Sequence, residues 1–100
     1  MEGNGSIRMS PEELEAEAVR FEKNKEEFEQ VVNDMGSHVT SLCQTWEGAS
    51  SQAFAEQFEQ LKPGFTATSE LLADIAQQLR SISAAMVDAD MQIAKQLGVH

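Results

Sequence analysis

Apolar residues recur at alternating spacings of four and three along nearly all of this 100-residue chain. In the first half the series consists of Leu14, Ala18, Phe21, Phe28, Val32, Met35, Val39, Leu42 and Trp46, and Lys25 interrupts it. In the second half it consists of Phe54, Phe58, Leu61, Phe65, Thr68, Leu72, Ile75, Leu79, Ile82, Met86, Ala89 and Ile93. This spacing is typical of an α-helix packed along one face and is incompatible with a strand, whose side chains alternate at every second residue. The pattern predicts two long helices.

The two series meet at Trp46-Glu47-Gly48, near the middle of the chain. Gly48 can adopt the left-handed backbone that ends a helix, and Ser50 or Ser51 can cap the next one. Because the connection is short, the helices must run antiparallel. We expect helix 1 over about 10–46, a turn at 47–50 and helix 2 over about 51–95. Trp46 has two interpretations, as a packing anchor between the helices or as part of a cleft that receives a helix tail.

Ser10-Pro11-Glu12-Glu13 has the features of a helix start. Ser10 can cap, Pro11 suits the first helical position, and Glu13 lies three residues after Ser10, as a capping box requires. Residues 1–9 are predicted to form a disordered leader, so the helical domain spans 10–97.

Pro63-Gly64 lies inside the second apolar series, whose phase is the same before and after it. A loop at this point would shift that phase. We therefore expect helix 2 to be kinked near Pro63 and not to be divided into two helices.

The apolar face of each helix is wider than a two-helix contact needs, because further apolar residues flank the two series: Val19, Val31, Cys43, Leu71, Ala76 and Ala85. Such a face, if exposed, favours association, and two hairpins related by a two-fold axis would cover it. The predicted fold is all-α, a long antiparallel helix-turn-helix hairpin that dimerises into a four-helix bundle. Its hairpin and dimer core is predicted to contain Phe21, Phe28, Val32, Val39, Leu42, Phe54, Phe58, Leu61, Phe65, Leu72, Ile75, Leu79 and Ile82.

The net charge of −10 argues against binding to nucleic acid or to an anionic membrane surface, since both would repel the chain. No stretch is long and apolar enough for a membrane span, and no Sec-type signal peptide follows Met1. We expect no nucleic-acid partner and no stable membrane insertion.

Few side chains here could perform chemistry. His38 and His100 have no carboxylate or thiol at the spacing of a metal site or catalytic triad. Cys43 is the one cysteine, which excludes an internal disulfide. Because it lies next to Leu42, it is expected to be a small buried hydrophobe. The sequence predicts no enzymatic activity, no metal and no cofactor.

Taken together, these residues resemble a known family, the small Trp-x-Gly (WXG) proteins of the early-secreted-antigenic-target type. The likeness rests on chain length, the central Trp46-Glu47-Gly48 and the flanking heptads, and it extends from Ser10 to about Leu97. The resemblance implies a dimeric helical hairpin exported by type VII secretion in Gram-positive bacteria or mycobacteria, without a cleaved signal peptide. It also implies recognition by a membrane-embedded secretion ATPase, and a role as a virulence-associated effector or as a component of the apparatus.

Members of this family carry an export signal near the end of the second helix. The form that begins with Tyr is absent, because the chain contains no Tyr. A broader form requires a hydrophobic residue, an acid four positions later and hydrophobic residues three and then four positions beyond. It is matched by Met86, Asp90, Ile93 and Leu97, which lie on one side of a helix.

Three questions stay open at this point. The partner is a second copy of the chain or a homologous paralogue. A cytoplasmic helical adaptor or chaperone-like protein is the alternative function, since an exposed apolar flank could bind a partner helix. Membrane disruption is a weaker alternative, because no polar helix face is rich in Lys or Arg.

Overall fold

The computed structural model describes residues 8–45 and 48–98. Within them the chain forms two α-helices, α1 (Pro11–Thr45) and α2 (Ala49–Gln96). The helices pack side by side as a rod measuring 76 × 27 × 18 Å. The predicted all-α helical hairpin is confirmed. The leader expected at 1–9 falls mainly on residues 1–7, and part of the turn expected at 47–50 falls on Glu47; both lie outside the described residues.

The start of α1 is fixed by the capping box expected from the sequence. The backbone N–H of Glu13 donates to Oγ of Ser10 at 3.1 Å, and the N–H of Ser10 donates to Oε1 of Glu13 at 2.7 Å. Pro11 is the first helical residue, where its missing N–H has no cost. A local sequence signal thus determines where the first helix begins.

Three contacts spread along the rod show that the helices are antiparallel and in one constant register. Oγ of Ser83 donates to the carbonyl oxygen of Pro11 at 3.2 Å. The rings of Phe28 and Phe65 meet edge to face with centroids 6.2 Å apart. Near the turn, Sγ of Cys43 lies 3.3 Å from the carbonyl oxygen of Ser51. Each step forward on α1 is therefore matched by one step back on α2.

The line of contact between the two helices, here called the seam, differs on α2 from the predicted series. Its buried and half-buried residues on α2 are Ser51, Ala55, Phe58, Phe65, Ser69, Leu72, Ala76, Leu79, Ser83 and Met86. From Phe65 onward every second position of this line is a small residue, and on α1 Ala18 is fully buried. Small side chains let two helices approach closely, so α2 turns this line toward α1.

Four residues predicted for the core are consequently exposed in the single hairpin. Phe54, Leu61 and Ile82 keep 37%, 52% and 38% of their surface exposed, and Leu42 is exposed on α1. Their place in the hairpin and dimer core stays a prediction. The other nine predicted core residues are half-buried: Phe21, Phe28, Val32, Val39, Phe58, Phe65, Leu72, Ile75 and Leu79.

Leu42 leaves the seam near the turn, where the line of contact on α1 shifts by one residue. The drift of a straight helix, about 20° every seven residues, does not explain the shift by itself, because the seam on α2 keeps its seven-residue spacing from Ser51 to Met86. Cys43, which is half-buried, takes the seam position that the four-three series assigned to Leu42.

α2 continues through Pro63 and Gly64 as one helix, so the described residues contain no third helix. Pro63 is exposed, and the carbonyl group that loses its hydrogen bond to the proline nitrogen can bind water instead. The kink expected near Pro63 stays a prediction.

Candidate interaction surfaces

Gly48 makes the connection between the helices possible through its backbone conformation. Its φ of 117° and ψ of −177° lie in a region that only glycine populates readily. Its carbonyl oxygen accepts hydrogen bonds from N–H of Ser51 at 3.2 Å and from Oγ of Ser51 at 2.9 Å. The positive φ agrees with expectation, and Gly48 is the N-cap of α2. Trp46, the other residue of the predicted turn motif, lies outside the described residues.

The expectation that Ser50 or Ser51 caps α2 is wrong. The helix already begins at Ala49, and its N-cap makes no side-chain capping hydrogen bond. Ser51 is instead buried within the first turn, where its hydroxyl bonds back to Gly48. Four small residues follow one another here, Gly48, Ala49, Ser50 and Ser51. The backbone conformation of Gly48 decides that the helix begins directly after it.

One side of the hairpin carries the ion pairs that join the helices. Arg80 binds Glu22 through both Nη atoms, with Nη2 3.2 Å from Oε1, and its Nε lies 3.4 Å from Oε1 of Glu15. Glu15 and Glu22 are one heptad apart, so one guanidinium spans two turns of α1. The hydrogen bonds that Arg80 donates to Glu22 raise the pKa of Arg80.

A second polar cluster lies farther along the same side. Ser69 donates a hydrogen bond to the carboxylate of Glu29, which also accepts one from Nζ of Lys25 at 2.9 Å. The hydrogen bond from Ser69, together with that from Lys25, lowers the pKa of Glu29. Lys25, the polar residue that interrupts the first apolar series, thus pairs with a carboxylate at the edge of the seam.

The opposite side of the hairpin is apolar. Arg80 directly follows the seam residue Leu79, and Glu22 directly follows Phe21. Because Arg80 and Glu22 pair, the flanks of α2 and α1 that contain them lie on the same side of the hairpin. The residues three positions after Phe28, Phe58, Leu72 and Leu79 lie on the other side, since each residue advances the helix by 100° and three residues fall 60° short of a full turn. This outward face contains Val31, Leu42, Phe54, Leu61, Leu71, Ile75 and Ile82, of which all but the half-buried Ile75 are exposed. Leu71 lies at its margin.

The four export-signal candidates continue the seam line of α2 past Pro11, where α1 begins. Ser83 lies against Pro11, the first residue of α1, and Met86, Asp90, Ile93 and Leu97 follow it at the same three-four spacing. Met86 is half-buried and Asp90 is exposed, while Ile93 and Leu97 are 55% and 73% exposed. The structure therefore brings the four onto one ridge, here called the tail ridge, which is exposed from Asp90 onward.

Sequence reasoning missed two further apolar residues in this segment. Val87 and Met91 are exposed on a neighbouring side of α2. Their spacing of four is visible in the sequence, but both residues lie outside the four-three series of α2.

The described residues offer little for metal or catalytic chemistry. Within 8–45 and 48–98, no group of three or more His, Cys, Asp or Glu side chains is placed to hold a metal ion. Cys43 is half-buried against Ser51, and His38 is exposed beside Ser41, Leu42 and Thr45 in a shallow surface groove. In the part of the chain that the structure describes, neither helix has a stretch apolar enough to cross a membrane.

Comparison with known proteins decides the family. Residues 6–91 match the sequence profile of WXG100, described as proteins of 100 residues with WXG. The chain belongs to the WXG100 family. The expected Trp-x-Gly family is thereby confirmed, and Trp46-Glu47-Gly48 supplies the family's tripeptide.

Several WXG100 relatives are similar over almost their whole length. Protein YukE of Bacillus subtilis is 42% identical over 93 residues, which cover 93% of this chain and 96% of the relative. The type VII secretion system extracellular protein A of Staphylococcus aureus is 32% identical over 93 residues, with the same coverage of 93% and 96%.

Solved structures agree with the hairpin. EsxA of Geobacillus thermodenitrificans has a TM-score of 0.78 and 34% identity, and the match covers 90% of this chain and 97% of that one. The wild-type secreted protein EsxB of Bacillus anthracis has a TM-score of 0.77 and 27% identity, with coverage of 84% and 98%. This WXG100 membership carries the conclusion that the protein is not an enzyme.

Proposed function

We propose that this protein is a substrate of a type VII secretion system, exported as a folded dimer of helical hairpins without a cleaved signal peptide. The tail ridge is the observation that carries the proposal. It supplies an exposed apolar surface with one acid, at a point where α2 has already passed the start of α1. The extracellular naming of the S. aureus relative supports the same destination.

The tail ridge suits recognition of a folded protein. Met86 is the last half-buried residue of the seam, whereas Asp90, Ile93 and Leu97 are exposed beyond the start of α1, so a receptor can bind this side of α2 without separating the helices. The receptor we propose is the membrane-embedded secretion ATPase, through an apolar groove with a cation placed for Asp90. Trp46 and Gly48 would act at the opposite end of the rod, where Trp46 helps to form a cleft for the tail of another copy.

Substitution of the ridge acid tests the export signal. Asp90→Ala should abolish accumulation in the culture supernatant while the lysate still contains folded protein. Asp88→Ala is the matched control, because Asp88 is equally an exposed acid but lies off the ridge. Normal export of both Asp90→Ala and Met86→Ala would contradict the assigned signal, and export that persists without the secretion ATPase would contradict the route.

Self-association is the second part of the proposal. The outward face leaves large apolar side chains of both helices exposed on one side of the rod. A face of this kind favours association, and a second copy offers a surface of the same length and character. A homologous paralogue could fill the same place. Sedimentation of the purified chain separates these partners, since a dimer formed by this chain alone requires no paralogue.

The outward face also suits an alternative function, a cytoplasmic adaptor that binds one helix of another protein. Cell fractionation distinguishes the two functions, because an adaptor would remain in the lysate of wild-type cells. After export, we propose a role as a virulence-associated effector or as a component of the apparatus. Comparing secretion of other substrates with and without this protein separates those roles.

A further inference from the structure

The ion-pair side of α2 changes from polar to apolar where α1 begins. This side consists of the residues that directly follow the seam residues, and Arg80 is one of them. Alongside α1 these residues are polar with one exception: Gln52, Glu56, Glu59, Thr66, Glu70, Ala73, Gln77 and Arg80. In the tail of α2, residues 84–97, the same side contains Ala84, Val87, Met91 and Ala94. Because a helix that projects into water gains nothing from such a side, the change indicates a surface that another molecule covers.

Val87 and Met91 lie in line with Arg80 along the helix. They follow it by seven and eleven residues, so at 100° per residue both return to within about 20° of its direction. Val87 is 45% exposed and Met91 is 63% exposed. The two side chains form an apolar row beside the tail ridge, here called the second row.

Asp90 lies between the tail ridge and the second row. Viewed along the helix axis, the apolar residues of the tail ridge lie within about 60° of Asp90 on one side. The second row and Ala94 lie within about 100° of it on the other side. The rest of the circumference is polar: Asp88, Gln92, Lys95 and Gln96. The acid is therefore near the middle of a broad apolar face.

We infer that the tail of α2 is bound in a groove with two apolar walls and a Lys or Arg at its base, and that Val87 and Met91 contact the second wall. This inference rests on the proposed export function and specifies the shape and charge of the site on the secretion ATPase. About 160° separates Met91 from Ile93 around the helix, so a flat surface cannot contact both rows. A groove can enclose both and leave the polar side in water.

The charge of Asp90 determines what lies at the base of the groove. The carboxylate is exposed in the hairpin, but walls that cover both rows remove water from it. A buried carboxylate is costly unless a cation or several hydrogen-bond donors pair with it. A Lys or Arg side chain offsets this cost through a charge-assisted hydrogen bond. Asp90 thus selects the groove, and the two rows supply the apolar area that is buried.

Competition for membrane vesicles tests the second row with the full chain. Isotope-labelled wild-type protein is displaced by unlabelled variants from vesicles that contain the secretion ATPase, and vesicles without the ATPase give the background. Val87→Thr and Met91→Gln in one chain keep the side-chain sizes but add polar groups, so they should weaken binding about tenfold or more. Val19→Thr is the matched control, because Val19 is 54% exposed on α1. It should compete like the wild type.

Thiol labelling tests the groove directly in a Cys43→Ser background, which removes the natural thiol. Met91 and Gln92 are adjacent and both exposed, but Met91 belongs to the second row and Gln92 to the polar side. Vesicles with the ATPase should slow the reaction of Met91→Cys with N-ethylmaleimide about tenfold and leave that of Gln92→Cys unchanged. Equal protection of both positions would overturn the two-walled groove.

The outcomes separate this inference from the proposed export function. If Asp90→Ala abolishes binding while the variant with Val87→Thr and Met91→Gln binds like the wild type, the second row is overturned and the export signal stands. If wild-type chain binds equally to vesicles with and without the ATPase, both proposals are overturned. Protection of Met91→Cys without vesicles would assign the second row to a second copy and overturn the receptor groove.

Discussion

The hydroxyl of Ser83 donates a hydrogen bond to the carbonyl oxygen of Pro11, 72 residues earlier in the chain. Ser83 is buried, and the contact aligns the first residue of α1 with α2. From Ser83 to Gln96, α2 extends on the order of 20 Å farther, at 1.5 Å per residue. The tail ridge owes its exposure to this register.

A large side chain at position 83 should push the helices apart. We expect Ser83→Leu to lower the free energy of unfolding by about 1–3 kcal/mol, the usual effect of overpacking a close contact. Ala84→Leu is the control, because Ala84 is exposed and its replacement meets no neighbouring helix. Urea unfolding of both variants measures the difference. Equal stability would contradict the close approach of the helices at this point.

Gly48→Ala should destabilise the hairpin, because a side chain at φ 117° and ψ −177° is strained although nothing lies within 4 Å of the added Cβ. The expected loss in the free energy of unfolding is about 1–3 kcal/mol. Gly64→Ala provides the comparison within α2. It also has open space around its Cβ, but it lies inside the helix and should gain stability. Thermal unfolding of the two variants should therefore shift in opposite directions.

Gly36→Ala should stabilise α1. A Cβ at this position would lie 3.8 Å from Cε2 of Phe58, an ordinary van der Waals distance. Alanine is favoured over glycine inside a helix by about 0.5–1 kcal/mol, so the unfolding midpoint in urea should rise by a corresponding amount. Gly36→Val is a useful second variant, since its larger, branched side chain should lose the gain. A fall in stability for Gly36→Ala would mean that Phe58 packs closer than described.

The Glu29 cluster should contribute to the pH dependence of stability. The hydrogen bonds from Ser69 and Lys25 lower the pKa of Glu29 in the folded state. Its contribution is therefore complete above the ordinary glutamate pKa of about 4.3 and is lost as the pH falls through the lowered folded value. Urea midpoints at pH 7 and pH 3 should differ less for Glu29→Gln than for the wild type. Glu26→Gln, at an exposed position of α1, should keep the wild-type difference.

Much of the fold could be predicted because its determinants are local. The period of the apolar residues specifies helices, the box formed by Ser10 and Glu13 begins the first, and the unchanged phase across Pro63 indicates one long second helix. The spacing of the apolar residues alone does not say which of two adjacent rows of side chains on α2 faces α1. The lines through Leu61 and through Ser69 share Phe58, Phe65, Leu72 and Leu79, and close approach by the small residues decides between them.

The candidate sites were harder to predict for a different reason. The pairing of Arg80 with Glu15 and Glu22, and of Ser69 with Glu29, depends on which residues the register brings together across the hairpin. The exposure of Ile93 and Leu97 likewise depends on where α1 begins against α2. A heptad pattern contains no information about the offset between two helices, so these features required the structure.

The alignment of Pro11 with Ser83 has a practical consequence for work with engineered versions of this protein. A reporter fused ahead of Pro11 would stand next to Met86 and Asp90 and could shield them from a receptor. An epitope inserted beside Gly48, at the far pole, would keep clear of the same copy's tail ridge but would stand beside the other copy's tail in the proposed dimer. The position of the label therefore decides whether a secretion assay measures export of the chain itself or an effect of the attached label.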